Sequence, residues 1–266
     1  MHGVVEHVER LTPTIIRIVL GGDGLTDFTA GTYTDEYVNV AFAPAGAPYQ
    51  MPCDLQAVKR DLPRDLQPHR RRYTVRRWDA AARLLTIDVV VHGSEGVGGS
   101  WASAAAPGDL LQFEGPGGGY APDPDAAWHL MVGDESALPA IAASLERVPA
   151  GTPVHVLLEV GGPDEQLPLD TPGRLHLSWL HRQAHPEQGD LLAAAVRDLA
   201  FPTGHAQAFV HGEAAMVREV RRHLLRDRGI AREALSASPY WRRGMTDEAW
   251  RTVKKAWQDE VERDVG

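Results

Sequence analysis

Apolar positions along this chain follow two different rhythms. In the first half they come in short β-branched or aromatic runs: Thr14–Leu20 (TIIRIVL), Tyr37–Phe42 (YVNVAF), Arg71–Trp78 (RRYTVRRW), Arg83–Val91 (RLLTIDVVV) and Leu110–Glu114 (LLQFE). Clusters of Gly, Pro and Asp separate them, which is the pattern of an all-β barrel or sandwich. In the second half, strand-like runs alternate with helical ones. Trp128–Val132, Val154–Val160, Arg174–Leu180 and Gln207–Val210 read as buried strands. Helices are predicted over Ala137–Arg147, Asp190–Leu199 with Asp190 as N-cap, and Glu213–Arg228 ending at Gly229. In the last of these, Val217, Val220, Leu224 and Leu225 share one face. A final polar helix is predicted over Thr246–Asp264, with Thr246 as N-cap. Strand–helix alternation of this kind predicts a doubly wound parallel sheet. The Gly/Pro-rich stretch Gly115–Ala126 marks the boundary and sets the expected domains at 1–122 and 123–266.

Composition narrows the picture. A hydrophobic fraction of 43% over 266 residues supports folded cores. The formal net charge is −9, which argues against a nucleic-acid partner. The single cysteine, Cys53, excludes an internal disulfide and any iron–sulfur or zinc site built on several thiolates. No stretch approaches about 18 consecutive apolar residues, so no membrane span is expected. The N-terminus, MHGVVEHVERL, lacks the basic and apolar regions of a secretory signal. A cytoplasmic location is therefore expected, and a monomer is the default for this architecture. No H-E-x-x-H or comparable metal cluster appears, and His176, His181 and His185 read as surface histidines.

Against the acidic total, Arg70–Arg77 (RRRYTVRR) carries five arginines. On a strand, Arg71 and Tyr73 share a face and Thr74 lies opposite. An arginine can grip a pyrophosphate, a tyrosine can stack on a flat heterocycle, and a threonine can meet a ring nitrogen. Together these groups describe a flavin dinucleotide, although an exposed basic edge strand has the same letters. Downstream, Asp88–Ala102 (DVVVHGSEGVGGSWA) runs from a strand through a glycine-rich turn into a short helix. Gly96, Gly98 and Gly99 allow close backbone approach to an anion, and an ordinary turn is the plainer alternative.

This ordered set resembles the siderophore-interacting proteins, FAD-containing ferric-siderophore reductases of the wider ferredoxin-reductase group. The set is R-x-Y-T, D-x-V-x-H-G, a glycine loop ending in Trp101, PGD, GDESALPAI (Gly133–Ile141), SWLHR, HGEAAMVREVRRHL and YWRRG. The resemblance implies an N-terminal antiparallel β-barrel that binds FAD and a C-terminal doubly wound domain that binds NAD(P)H. It implies that Arg71 contacts the FAD pyrophosphate, Tyr73 stacks on the isoalloxazine and Thr74 lies near its reactive nitrogen. Asp88, Val90 and His92 would line the flavin, largely with backbone atoms. The family loop G-P-A-S-x-W reads Gly96–Val97–Gly98–Gly99–Ser100–Trp101 here, so the hydroxyl of the pattern is missing at Gly99 and Ser100 stands one position late.

Gly133, Asp134, Glu135, Ser136 and Ala137 fall where the resemblance implies nicotinamide-dinucleotide contacts. Alternatively, this segment shapes the flavin pocket, with Glu135 as a cap. His181 and Arg182 meet a 2′-phosphate or are surface residues. A ferric siderophore is the implied substrate, with NAD(P)H or ferredoxin as electron donor. Lys59, Arg242 and Arg243 are the candidates for an anionic chelate, with Arg60 beside the first. Ser238–Pro239 precede Tyr240–Trp241, which serve either near the flavin or as a packing anchor for the last helix. The alternative function is a siderophore carrier or sensor without productive flavin chemistry.

Overall fold

The computed structural model describes residues 1–91, 96–184 and 190–264, so His92 and His185 lie outside the described residues. The chain divides into two compact units, Met1–Gly119 and Tyr120–Gly266.

The first unit is a closed antiparallel barrel. Its strands are β1 (His2–Thr12), β2 (Ile15–Gly21), β3 (Tyr37–Phe42), β4 (His69–Asp79), β5 (Leu84–Val90) and β6 (Leu110–Gly117), in the order β1-β2-β5-β4-β3-β6. Pairing of His2–Val4 with Leu110–Gln112 closes it. Alternation along β2 and β5 sends Ile16, Ile18, Leu20, Leu85, Ile87 and Val89 inward, where Val38, Val40 and Phe113 meet them. Each such burial contributes about 1.5–3 kcal/mol. Two short helices decorate the barrel. The first, α1 (Leu55–Asp61), is started by Asp54, whose carboxylate accepts from the Gln56 and Ala57 amides. The second, α2 (Val97–Ala104), follows the glycine turn.

The second unit is an all-parallel five-stranded sheet in the order β11-β10-β7-β8-β9. Its strands are β7 (Trp128–Asp134), β8 (Pro153–Val160), β9 (Arg174–His181), β10 (Ala206–Glu213) and β11 (Leu235–Trp241). The helices are α3 (Leu138–Leu145), α4 (Leu191–Asp198), α5 (Ala214–Arg226) and α6 (Asp247–Arg263). Every residue of β7 is buried, as expected of a central parallel strand covered on both faces. Leu192, Val196, Val217, Val220 and Leu224 cover one face over Trp128, Leu130, Val132, Ala208 and Val210. The expected fold class, an antiparallel barrel followed by a doubly wound parallel sheet, is the one observed.

The predicted caps hold: the Asp190 carboxylate accepts from Ala193 and the Thr246 hydroxyl from Ala249. Glu213, taken as the first residue of its helix, is instead the cap, accepting from the Ala215 and Met216 amides at 2.6 and 3.1 Å. The polar last helix is not free of the unit. Trp250, Trp257 and Val261 bury against Ala214, and Arg221, itself buried, donates to Val261 O and Glu262. None of the described helices is long and apolar enough to cross a membrane.

Candidate functional site

Strand β4 carries the arginine–tyrosine segment, paired with β3 in the register Tyr37↔Thr74, Val38↔Tyr73, Val40↔Arg71. Register puts Arg71 and Tyr73 on the face of Val40 and Val38, whose side chains fill the barrel core, and both are half-buried; Thr74 lies on the opposite face, across from Tyr37, and is buried. Arg71 Nη1 donates to the Arg70 carbonyl at 3.0 Å, and Arg72 turns the other way, over the Tyr37 ring at 4.9 Å. On its far side β4 pairs with β5, but only from Asp79↔Leu84 to Val75↔Ile87. Tyr73 and Thr74 on β4, and Asp88 to Val90 on β5, lie beyond the end of that ladder. Their backbone groups are thus outside the β4–β5 pairing.

Helix α2 packs against β5 and β2. Its N-cap is Gly96, at φ 95°, which has no side chain to cap the helix start, and first-turn amides of a helix suit an anion. A Cβ on buried Gly98 would fall inside the Tyr73 hydroxyl, 3.1 Å from the ring carbon bearing it and 3.7 Å from Arg71 Cγ. The glycine turn and the arginine–tyrosine strand are thus in direct contact. Gly99 is different: the nearest described atoms to a Cβ there are those of Val91 and the Val90 carbonyl, at 3.6 to 3.8 Å, which is ordinary contact. Ser100 is exposed and its amide donates to the Gly96 carbonyl at 3.1 Å. Trp101 packs on the barrel, tilted against Phe42 at 5.9 Å.

Asp88 is buried and its carboxylate is taken by Arg17 from β2 in a bidentate pair, 2.8 Å at each oxygen. Only its backbone is left for another role, as it is for Val90. Lys59 and Arg60 are exposed on the last turn of α1, where Arg60 pairs with Asp61 at 2.7 Å.

In the second unit, the chain leaves β7 for β8 on one side and returns as β10 on the other. The switch point of the sheet therefore lies between β7 and β10, with Gly133 opposite His211 in register. Asp134 stands at its C-terminal edge, buried to 3% exposure. Its Oδ1 accepts from the Ser136 amide at 2.9 Å and from the Ser136 hydroxyl. Its Oδ2 accepts from the Glu213 amide at 2.9 Å and from Trp241 Nε1 at 2.8 Å. Burial, then the neighbouring Glu135, push its carboxyl above the usual carboxylate range; the bonds from Ser136 and Trp241 pull the other way. Gly212, at φ 137°, gives this carboxylate room, since a Cβ there would lie 2.6 Å from Oδ2.

Glu135 does not cap the helix. It pairs with Arg182 through both oxygens, at 2.9 and 2.7 Å, and Arg182 reaches Glu159 at 3.2 Å as well. Burial works to lower the Arg182 pKa, but the two carboxylates outweigh it and hold it further above its ordinary value. Burial likewise raises Glu159. Arg182 is thus neither a lone surface residue nor an unengaged cation. Ala137, fully buried, precedes α3, its amide donating to the Asp134 carbonyl at 3.0 Å. His181 Nε2 lies 2.8 Å from Gln166 Nε2. His211 is buried, 2.9 Å from the Ser236 hydroxyl, and desolvation, aided by Lys254, lowers its pKa to about 3.

Beyond β11, Arg242 stacks over Trp250 at 5.8 Å. Arg243 is exposed and its amide donates to Glu213 Oε1 at 3.1 Å. Tyr240 meets His211 edge-on at 5.1 Å, and Lys254 of α6 donates to the neighbouring Pro239 carbonyl at 2.7 Å. Among the described residues no cluster of three or more His, Cys, Asp or Glu is arranged to hold a metal ion. Sequence reasoning missed Arg17, Glu159 and Gly212 as parts of these arrangements.

A closed antiparallel barrel followed by an all-parallel sheet is the fold this chain shares with ferredoxin-reductase-like neighbours. The family model described as the siderophore-interacting FAD-binding domain matches residues 4–120, and that described as siderophore-interacting protein matches residues 126–244. The chain belongs to the siderophore-interacting protein family. It is 41% identical over 260 residues to the uncharacterized protein Rv2895c of Mycobacterium tuberculosis, covering 92% of this chain and 91% of that one. It is 35% identical over 259 residues to the ferric vibriobactin reductase ViuB of Vibrio cholerae, covering 94% and 92%. The crystal structure of a siderophore utilization protein from T. fusca superposes with a TM-score of 0.79 at 35% identity, covering 93% of this chain and 94% of that one.

Proposed function

We propose that this protein reduces ferric siderophores in the cytoplasm, with FAD in the barrel and NAD(P)H or a ferredoxin as electron source. The observation that carries the reading is the contact of Gly98 with Tyr73 and Arg71 where the β4–β5 ladder ends. It brings a guanidinium, a glycine-capped helix start and a half-exposed aromatic ring to one place, which fits a dinucleotide that carries a flat heterocycle. The reductase name of ViuB supports the chemistry.

In this reading Arg71 and the amides of Gly98 and Gly99 hold the pyrophosphate. Tyr73 covers one face of the ring, and Thr74 with the backbone of Asp88 and Val90 borders its edge. Bound FAD supplies the exchange between an electron pair and single electrons. The protein provides orientation and charge, and needs no general base. Exposed Lys59 and Arg243 each offer positive charge to an anionic ferric chelate; Arg242, stacked on Trp250, contributes less. Iron is the cargo and keeps its siderophore ligands until reduction weakens them.

Purified protein should show the visible absorption of a flavin, bleached by an electron donor and restored by a ferric chelate. Arg71→Ala and Tyr73→Ala should each weaken FAD binding at least about tenfold, the loss of a charge-assisted contact or of a stacked ring. Variants that hold FAD as tightly as the parent would remove the assignment. A protein that binds chelate and never reduces it with any donor would be a carrier.

A further inference from the structure

Open α/β sheets bind nucleotide phosphates in the crevice at the topological switch point, on backbone amides at a helix start. Here that crevice lies between β7 and β10, and four donors converge on it: the Ser136 amide and hydroxyl, the Glu213 amide and the Trp241 indole N–H. They come from the ends of three strands and point at one carboxylate. We propose that Asp134 is a built-in anion that fills the switch-point hole in the place of a ligand phosphate, and so determines that the electron donor is taken with no phosphate seated there. The inference deepens the reductase reading and rests on it for the word donor.

Three features argue for a filled hole over an ordinary buried acid. First, the donor set suits a phosphate: two backbone amides, one hydroxyl and one indole N–H, with no basic side chain. A buried aspartate held for stability alone is more simply paired with one cation, as Asp88 is with Arg17. Second, Gly212 adopts φ 137°, and its missing Cβ leaves the space in which Oδ2 sits. The backbone of β10 is thus shaped around an anion at this point. Third, the rest of the edge is closed to phosphate as well. Glu159 stands opposite Asp134 in register, and Arg182 is spent on Glu135 and Glu159. A pyrophosphate approaching here meets carboxylates and no unengaged guanidinium from Arg182.

Removing the side chain should therefore create a phosphate site. In Asp134→Ala the four donors lose their acceptor, and inorganic phosphate can replace it. Thermal melts of full-length protein, loaded with FAD so that the barrel site is filled, provide the test. Asp134→Ala should melt lower than the parent. About 50 mM phosphate should raise its Tm by about 2–5 °C more than chloride at equal ionic strength, and more than phosphate raises that of the parent. Asp134→Asn fills the same volume and should not gain the response. Asp134→Ser, smaller and polar, serves if the alanine variant does not fold. An equal phosphate response in parent and cavity variants, or none in the variants, overturns the proposal. The readout is independent of flavin chemistry: failure of the reductase reading would appear as a protein that takes no FAD, whereas failure here appears as cavity variants indifferent to phosphate.

Discussion

At the scale of the residue, Gly98 is the most constrained position of the candidate flavin site. Its hydrogen faces the Tyr73 hydroxyl, so any side chain must move the tyrosine ring or the helix. Gly98→Ala should cost about 1–3 kcal/mol, the usual range for overpacking, and should weaken FAD binding in step. Gly99→Ala has open contact distances and should stay within about 0.5 kcal/mol of the parent. Tyr73→Phe removes the hydroxyl that clashes, so the double variant Gly98→Ala/Tyr73→Phe should recover much of the lost Tm. A double-mutant cycle on the flavin-free protein checks this; additive losses would show that the two residues do not couple. The importance of both positions was legible from R-x-Y-T and the glycine turn. Their contact was not, because 25 residues and a strand reversal separate them, and no local pattern reports a tertiary approach.

At the scale of elements, two strands escaped the sequence. In β1, bulges between Val5 and His7 and between Arg10 and Thr12 break the two-residue alternation. In β11 the letters LSASPYW carry little β-propensity; the strand is an edge, where Pro239 is tolerated. Both are held by partners: β1 by β2 and β6, β11 by β10. The pairing of β2 with β5 carries its own clamp, Arg17 on Asp88, with the carboxylate side chain 4% exposed and the arginine 29%. Asp88→Asn leaves a guanidinium without its anion and should destabilise by about 2–4 kcal/mol. Urea unfolding checks the magnitude. If Asp88 borders the flavin with backbone alone, the folded variant should still bind FAD within a few-fold of the parent; a large loss would assign the carboxylate a direct contact.

At the scale of the molecule, acid stability should follow His211. Native His211 stays neutral down to about pH 3, whereas in the unfolded chain it takes up a proton near 6.5. The unfolded state therefore binds more protons between these values. The contribution is fully present above about pH 6.5 and is lost as pH falls toward 3, with a limiting slope of about 1.4 kcal/mol per pH unit. His211→Gln should flatten the fall of Tm over pH 6 to 4 relative to the parent; parallel curves would exclude His211 as a source. The sequence by itself determined the order of all the elements but β1, α1 and β11, the two fold classes, the Asp190 and Thr246 caps and the residue types that a flavin needs. These depend on periodicity and on neighbours within a few positions, which local letters encode. Only the tertiary structure decided where the charges go: Asp88 to Arg17 across 71 residues, Glu135 to Arg182 across 47, and Asp134 to the Glu213 amide and the Trp241 indole across 79 and 107. A buried carboxylate must be satisfied by whichever donors the strand order brings beside it. That order is a property of the assembled sheet, and no stretch of chain carries it alone.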